Sequence, residues 1–428
     1  MQQRLDNPFV VGGPVRPEKF VGREELINRL VQRIKTRQNS AIVGAPRIGR
    51  TSIFKYLSTP ENLARMRDSA NPHEQVITIL IDFQMFTLST TPEEFWKYVS
   101  KRILNSLTEP NDRSTVQEFI KQDDFSPLSI ATLFEDLALS NYRFVLFLDE
   151  LDYIIGLKNL AVPDFLGALR SLTSVSEAYQ MVVSTRRPLS ELNVMTQSLN
   201  PNGSPYFNTL LEHQVGIFTA EESMTLLSWG DSAGFTAADK QLILRLAGQH
   251  PYRLQMAASI LYDLKADAEL SQEEMQLTLV ERFTDMIDNY FSDVWERTLV
   301  ERARIALAIM ALEENDQLAN EHEFAVSFKD LVKRYSSFMD ILEDNGLIVR
   351  RADAPTISAQ ILTVWVLRKI ASTAESRDSA SFADWLYGQE IAVLGVTNNQ
   401  RDWIVEKVQN MPKNWIPGLL GKLVTTFV

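Results

Sequence analysis

Cysteine is absent from the chain. That excludes disulfides, thiol nucleophiles and thiolate-bound metals, and it fits a reducing compartment. Histidine is scarce: the four residues lie far apart with no H-x-x-x-H pair, so zinc has little to bind. No apolar run reaches the roughly 20 residues that a membrane-spanning helix needs. Met1 to Phe20 has no apolar core of the signal-peptide kind. The expectation is therefore a cytoplasmic protein without a transmembrane segment. Basic charge is not in excess, because 43 Lys and Arg face 55 Asp and Glu for a net charge of -12. DNA binding is thus possible only through a local patch and is disfavoured for the chain as a whole. No ankyrin, TPR, WD40 or leucine-rich period is present to act as a sensor, and no low-complexity tract occurs.

What is present is ordinary globular composition, 45% hydrophobic and 23% charged over 428 residues, enough for two to four domains. Asn7 to Pro14 reads as an extended arm with turns. "KFVGREELINRLVQRIK" starts a helix with Leu26, Leu30, Val31 and Ile34 on one face. Five apolar runs follow at α/β spacing: "NSAIVG", Val76–Phe83, Phe144–Glu150, Met181–Arg187 and His213–Phe218. Helical patterns separate them, so the fold class is α/β, with a five-stranded parallel sheet covered on both faces. After about Thr219 only helical patterns remain, including a long amphipathic stretch from Ser271 to Val300. Near the end a helix closes at Asn345-Gly346, followed by a strand "LIVRR", a turn at Asp353–Pro355 and a second strand, a winged-helix pattern. Glu375–Phe382 is polar and linker-like. The tail Asn414–Val428 carries Trp415, Ile416, Leu419, Leu420, Leu423, Val424 and Phe427 with Lys422 as its only charge. It is either packed on its own domain or made to meet a partner or a membrane surface, and Pro417, Gly418 and Gly421 break it too often to span a bilayer.

The chemistry concentrates in "GAPRIGRTS", Gly44 to Ser52. The spacing is that of a phosphate-cradling loop, in which Gly44, Ala45, Arg47, Ile48 and Gly49 can turn backbone N–H groups inward and Pro46, which has no N–H, helps shape the turn. Thr51 offers a hydroxyl to Mg²⁺, and Ser52 follows in the first helical turn. Arg50 stands where lysine is usual. It is still a cation for the outer phosphates, but larger, planar and forked, so binding is expected to survive better than fast hydrolysis. About 100 residues later "FVLFLDELD" ends a buried strand in Asp149-Glu150. Asp149 there would hold the magnesium and Glu150 would polarise the attacking water.

Taken together, these motifs resemble the STAND branch of AAA-type P-loop ATPases. "GAPRIGRTSIF" is similar to the branch's phosphate loop, in which an arginine is common. "FVGREEL" (Phe20–Leu26) resembles the element that precedes that loop and lies near the adenine, which brings in Val21 and Arg23. "VVSTRR" resembles the strand end that carries a Thr-Arg pair, and by position Arg186 would sense phosphate. "GQHPYRLQ" (Gly248–Gln255) resembles the Gly-x-Pro element of a helical lid whose proline abuts the base, here as Gly-x-x-Pro with His250 and Pro251. The resemblance covers about residues 7 to 372. It implies three parts, a nucleotide-binding domain over 1–218, an all-α lid over 219–300 and a winged-helix domain over 301–373; the segment 383–428 lies beyond the resemblance and, from its apolar tail, is expected to be a small C-terminal output or docking segment. It implies ATP and ADP with Mg²⁺ as cofactors, one nucleotide per chain between the α/β domain and the lid, and a slow ATPase. It also implies self-association in the ATP state, a separate effector or sensor protein, and a signalling switch of the kind used in bacterial regulation or antiviral defence. Two alternatives stay open. One is a scaffold that binds nucleotide without cutting it. The other is a DNA-associated ATPase of the initiator or transposition type, with Lys333-Arg334 and Val349–Arg351 as phosphate contacts.

Overall fold

The computed structural model describes residues 6–265, 270–317, 336–350 and 355–376. The chain divides into two compact units, one from Pro14 to Val215, the other from Gly216 onward joined by the N-terminal arm up to Gly13. Each is described by itself.

The first unit is built on a parallel five-stranded sheet in the order β2-β3-β4-β1-β5. The strands are β1 (Ser40–Val43), β2 (Gln75–Asp82), β3 (Tyr142–Asp149), β4 (Tyr179–Thr185) and β5 (Leu211–Gln214). Every residue of β1, β3 and β4 is buried, as expected for strands covered on both faces. The five expected apolar runs are all strands, with boundaries shifted. Arg186 and Arg187 lie beyond the end of β4, and β5 stops at Gln214, where Val215 N–H makes a last bond to the Val43 carbonyl at 2.7 Å. β4 sits between β1 and β3, which decides the later chemistry: the end of β4 separates the phosphate-type loop from the acids on β3.

Helix α1 (Glu24–Lys35) buries Leu26, Leu30, Val31 and Ile34, the expected face, and Ile27 with them. Helix α2 (Arg50–Leu57) packs Phe54 flat on Phe147 of β3, centroids 4.7 Å apart. Burying an aromatic of this size contributes about 2–3 kcal/mol. At the end of the sheet opposite the site, Arg143 is enclosed. Its guanidinium donates to both Glu74 carboxylate oxygens (2.9 and 3.0 Å), to the Ile34 and Met66 carbonyls (2.5 and 2.7 Å) and to Gln180 Oε1 (2.9 Å).

The second unit is mostly helical. Helices Ala220–Leu227, Ala237–Ala247 and Gln272–Asp293 each start on a reciprocal cap, formed by Thr219 with Glu222, Thr236 with Asp239, and Ser271 with Glu274. Helix Pro251–Lys265 starts on a proline, and Glu301–Gln317 follows the amphipathic stretch. Helix Ser336–Asp344 leads into an antiparallel hairpin of β6 (Ile348–Arg350) and β7 (Pro355–Ile357), and helix Gln360–Ser376 follows. Pro355 opens β7 rather than closing the turn. Glu375 and Ser376 belong to that last helix rather than to a linker. The arm is packed: Asn7 Nδ2 donates to Ser259 O, Ser259 Oγ and Asp263, and Phe9 lies against Trp229, Phe235 and Tyr262. Lys333, Arg334, Arg351, Asp353, the rest of the expected linker and the segment 383–428 lie outside the described residues. Among the described residues no helix is long and apolar enough to cross a membrane.

Candidate nucleotide site

The loop after β1 is fixed by sterics at its first residue. A Cβ on Gly44 would lie 2.7 Å from the Val215 carbonyl oxygen, so no side chain fits. Gly44 N–H donates to the Thr185 carbonyl at 3.2 Å, tying the loop to the end of β4. Ala45 and Ile48 are buried and anchor the loop, while Arg47 is exposed with φ +60°. Gly49 turns the chain into α2 with φ +107°, a conformation that favours glycine. Arg23, itself at φ +65°, donates to the Ile48 carbonyl at 3.4 Å, so it braces the loop. Val21 is half-buried in the stretch ahead of α1. Ser52 accepts a bond from Val15 N–H at 3.1 Å.

Thr51 faces the acids. Its hydroxyl donates to Asp149 Oδ2 at 2.5 Å. Two oxygens held side by side suit magnesium, which takes one or two protein ligands and fills the rest of its octahedron with phosphate and water. Among the described residues no group of three or more acids and histidines could hold a metal ion. The other Asp149 oxygen accepts from Ser184 Oγ on β4, and the same hydroxyl accepts from Glu150 N–H at 3.0 Å. Ser184 is fully buried and orients both acids.

Glu150 lies beyond the strand in a left-handed conformation, φ +54°. Its carboxylate sits between two arginines. Arg50 Nη2 donates to Oε1, and Arg186 Nε donates to Oε2 at 2.8 Å. Arg50 is 4% exposed, and its Nη1 donates to the Gly44 and Thr185 carbonyls, the latter at 3.0 Å. The expectation gave this side chain to the outer phosphates. Here the guanidinium joins the ends of β1 and β4 to Glu150. Burial pushes the Glu150 carboxyl up, but the charges and hydrogen bonds of Arg50 and Arg186 outweigh it and hold it below the usual glutamate value. Asp152, which accepts from Arg186 N–H at 3.3 Å, is raised by burial and by the charge of Glu150. Asp82, opposite Asp149 in the sheet register, is raised by burial with Asp149 and Glu150 adding to it.

Within this unit Gly44 to Ser52, Arg23, Asp149, Glu150 and Arg186 converge at the carboxyl ends of β1, β3 and β4, where parallel sheets place ligand sites. His250 and Pro251 belong to the helical unit. Pro251 opens helix Pro251–Lys265, and the fully buried His250 has Nε2 3.2 Å from the Tyr290 hydroxyl. Sequence reasoning passed over Ser184 and Asp152. Each carried a weak signal, Ser184 as a hydroxyl at the end of an apolar strand and Asp152 as the second acid of "DELD".

No family model and no curated protein matches the chain. Solved structures do. The Walker-type ATPase paby2304 of Pyrococcus abyssi is similar at a TM-score of 0.51 and 14% identity, covering 84% of this chain and 99% of that one. The Aeropyrum pernix ORC2 protein in ADPNP-ADP complexes is similar at 0.47 and 11%, covering 85% of this chain and 97% of its own. With the strand order and the loop, the first likeness shows a shared fold, a P-loop parallel sheet followed by a mostly helical region.

Proposed function

We propose that this protein is a nucleotide-controlled switch that binds ATP or ADP with Mg²⁺ and hydrolyses ATP slowly, within the STAND branch that its motifs resemble. The observation that carries the reading is the clamp on Glu150. A general base must accept a proton, and a carboxylate stabilised by two guanidinium groups is a weaker base than a free one. Arg50 follows the loop directly, and Arg186 shares Glu150 with it. Phosphate oxygens compete with Glu150 for them, so binding and the release of the base are linked.

The residues divide the work. Backbone N–H groups of Ala45, Arg47 and Gly49 would cradle phosphate, since Pro46 has none and those of Gly44 and Ile48 go to the Thr185 and Ala45 carbonyls, and Thr51 and Asp149 would hold magnesium, which supplies charge neutralisation when bound. Ser184 keeps Asp149 and the Glu150 backbone in register. Glu150 orients water once Arg50 or Arg186 turns from it to phosphate. Slow turnover suits a device that holds a state. On this reading each chain binds one nucleotide. Self-association in the ATP state and a separate effector or sensor complete the proposal, with bacterial regulation or defence as its setting. A DNA-associated role is less favoured: Arg350, one of the expected basic contacts, pairs with Asp340 and with Glu343, the latter at 3.1 Å.

The deciding experiment is nucleotide content and turnover of the purified full chain. Adenine nucleotide released on denaturation, or calorimetric binding of ATP or ADP, is expected at one per chain, with turnover well below one per second. Absence of both bound and bindable nucleotide ends the proposal, and many turnovers per second ends the claim of a slow switch.

A further inference from the structure

The element Gly248–Arg253 has a partner inside its own unit. Gly248 has φ +63°, and a Cβ there would lie 2.1 Å from the Ser358 carbonyl oxygen, so its backbone runs against the residue that follows β7. Gly346, ahead of β6, has φ +63° and is less tightly confined, since a Cβ would come within 3.0 Å of the Ile217 side chain and 3.3 Å of the His250 ring. Arg253 joins the two sides. Its Nη2 donates to the Gly346 carbonyl at 2.9 Å and to Ser358 Oγ at 3.1 Å.

Arg253 is fully buried, yet among the described residues only one of its three nitrogens is bonded. Nε and Nη1 are enclosed with no hydrogen-bond partner there, and no described carboxylate pairs with the charge. Burial pushes the guanidinium down to about 10 from its usual value. Two open donors and an uncompensated charge are a standing cost to the closed joint, because water would satisfy all of them. The joint does not need the arginine to satisfy its acceptor either. Ser358 Oγ donates to the same Gly346 carbonyl at 2.7 Å.

We propose that Arg253 keeps this joint near balance: it holds the base of the β6–β7 hairpin on helix Pro251–Lys265 in the state described here, and its unpaired charge favours a second state in which the hairpin has left the helix. The device is internal to the helical unit and stands whether or not the nucleotide reading does.

The test is hydrogen exchange by mass spectrometry on the full chain, read on peptides within 345–350 and 355–362. In Arg253→Met the apolar side chain fills similar volume without the charge, so exchange in both peptides should slow by about tenfold and the melting temperature should rise. Arg253→Lys keeps the charge and loses the fork, so exchange should quicken. Faster or unchanged exchange in Arg253→Met, or failure of that variant to fold, overturns the proposal, since the buried guanidinium would then be a support and not a burden.

Discussion

Arg143 in the sheet unit and Arg253 in the helical unit are equally shut off from water, but every N–H of the first has an acceptor and two nitrogens of the second have none. The difference lies in what surrounds them. Arg143 stands among Glu74, Gln180 and the carbonyls of Ile34 and Met66 at the ends of two helices. Arg253 reaches only the Gly346 carbonyl and the Ser358 hydroxyl among the described residues, at the base of the hairpin. A filled cation marks a region built to stay as it is, and an unfilled one marks a region with an alternative. Arg50 falls between them. Its bonds to Glu150, Gly44 and Thr185 are good, but each partner belongs to the site, where an incoming phosphate can compete for the charge.

Breaking the filled cluster should have the largest effect. Glu74→Ala leaves the Arg143 charge buried without its carboxylate and also deprives Arg37, whose Nη2 lies 3.1 Å from Glu74. The expected loss is about 3–5 kcal/mol of stability in the sheet unit. It should be seen as loss of soluble protein or a lower urea midpoint. A midpoint within experimental scatter of the natural protein would mean that this cluster is no more fixed than the Arg253 joint.

The clamp can be sharpened with two variants at one site. Glu150→Gln should still bind ATP but lose turnover by at least about 100-fold, as expected for a group that orients or deprotonates water. Arg50→Lys keeps a cation but cannot reach Glu150, the Gly44 carbonyl and the Thr185 carbonyl together. Binding should change little, and turnover should rise several-fold, on the order of 1 kcal/mol in the barrier. Slower hydrolysis in Arg50→Lys would make the arginine a tuned catalytic group and remove the idea of a restrained base.

Local pattern carried most of the sheet unit and little of the rest. Continuous apolar runs announce strands buried on both faces, and the loop spacing Gly44 to Thr51 announces itself because its work is done by backbone. The acid pair was legible because Asp149-Glu150 ends such a run. What sequence could not give were contacts between distant positions. Arg50 and Glu150 are 100 residues apart, and nothing in "GRTS" says that the guanidinium turns back on the strand ends instead of outward. Ser184 looks like one more strand residue until β4 is placed between β1 and β3. Gly248 and Arg253 read as motif residues, while their partners Gly346 and Ser358 lie about a hundred positions on and carry no signature of their own.

The smallest expected effect concerns pH and separates the clamp from the other acids around it. Arg50 and Arg186 hold Glu150 below its ordinary value in the folded chain. Its contribution is therefore present above the unfolded glutamate value, about 4.3, and is lost as pH falls through the lower folded value. Asp82 and Asp152 are raised, so theirs has the opposite sign: favourable at low pH and lost as pH rises through their folded values. The difference in stability between the natural protein and Glu150→Gln, measured without nucleotide, should be flat from pH 8 to about pH 6 and shrink below about pH 4. A size of about 1–2 kcal/mol is expected, since glutamine keeps the shape and one acceptor while losing the charge. Saturating ADP with Mg²⁺ should reduce that difference if the arginines turn to phosphate, because Glu150 then loses the partners that lower it. A difference that grows toward acid pH would show that the two arginines do not hold Glu150 below its ordinary value, and one that ADP leaves unchanged would show that they stay with Glu150 when nucleotide is bound and that binding and release of the base are not linked.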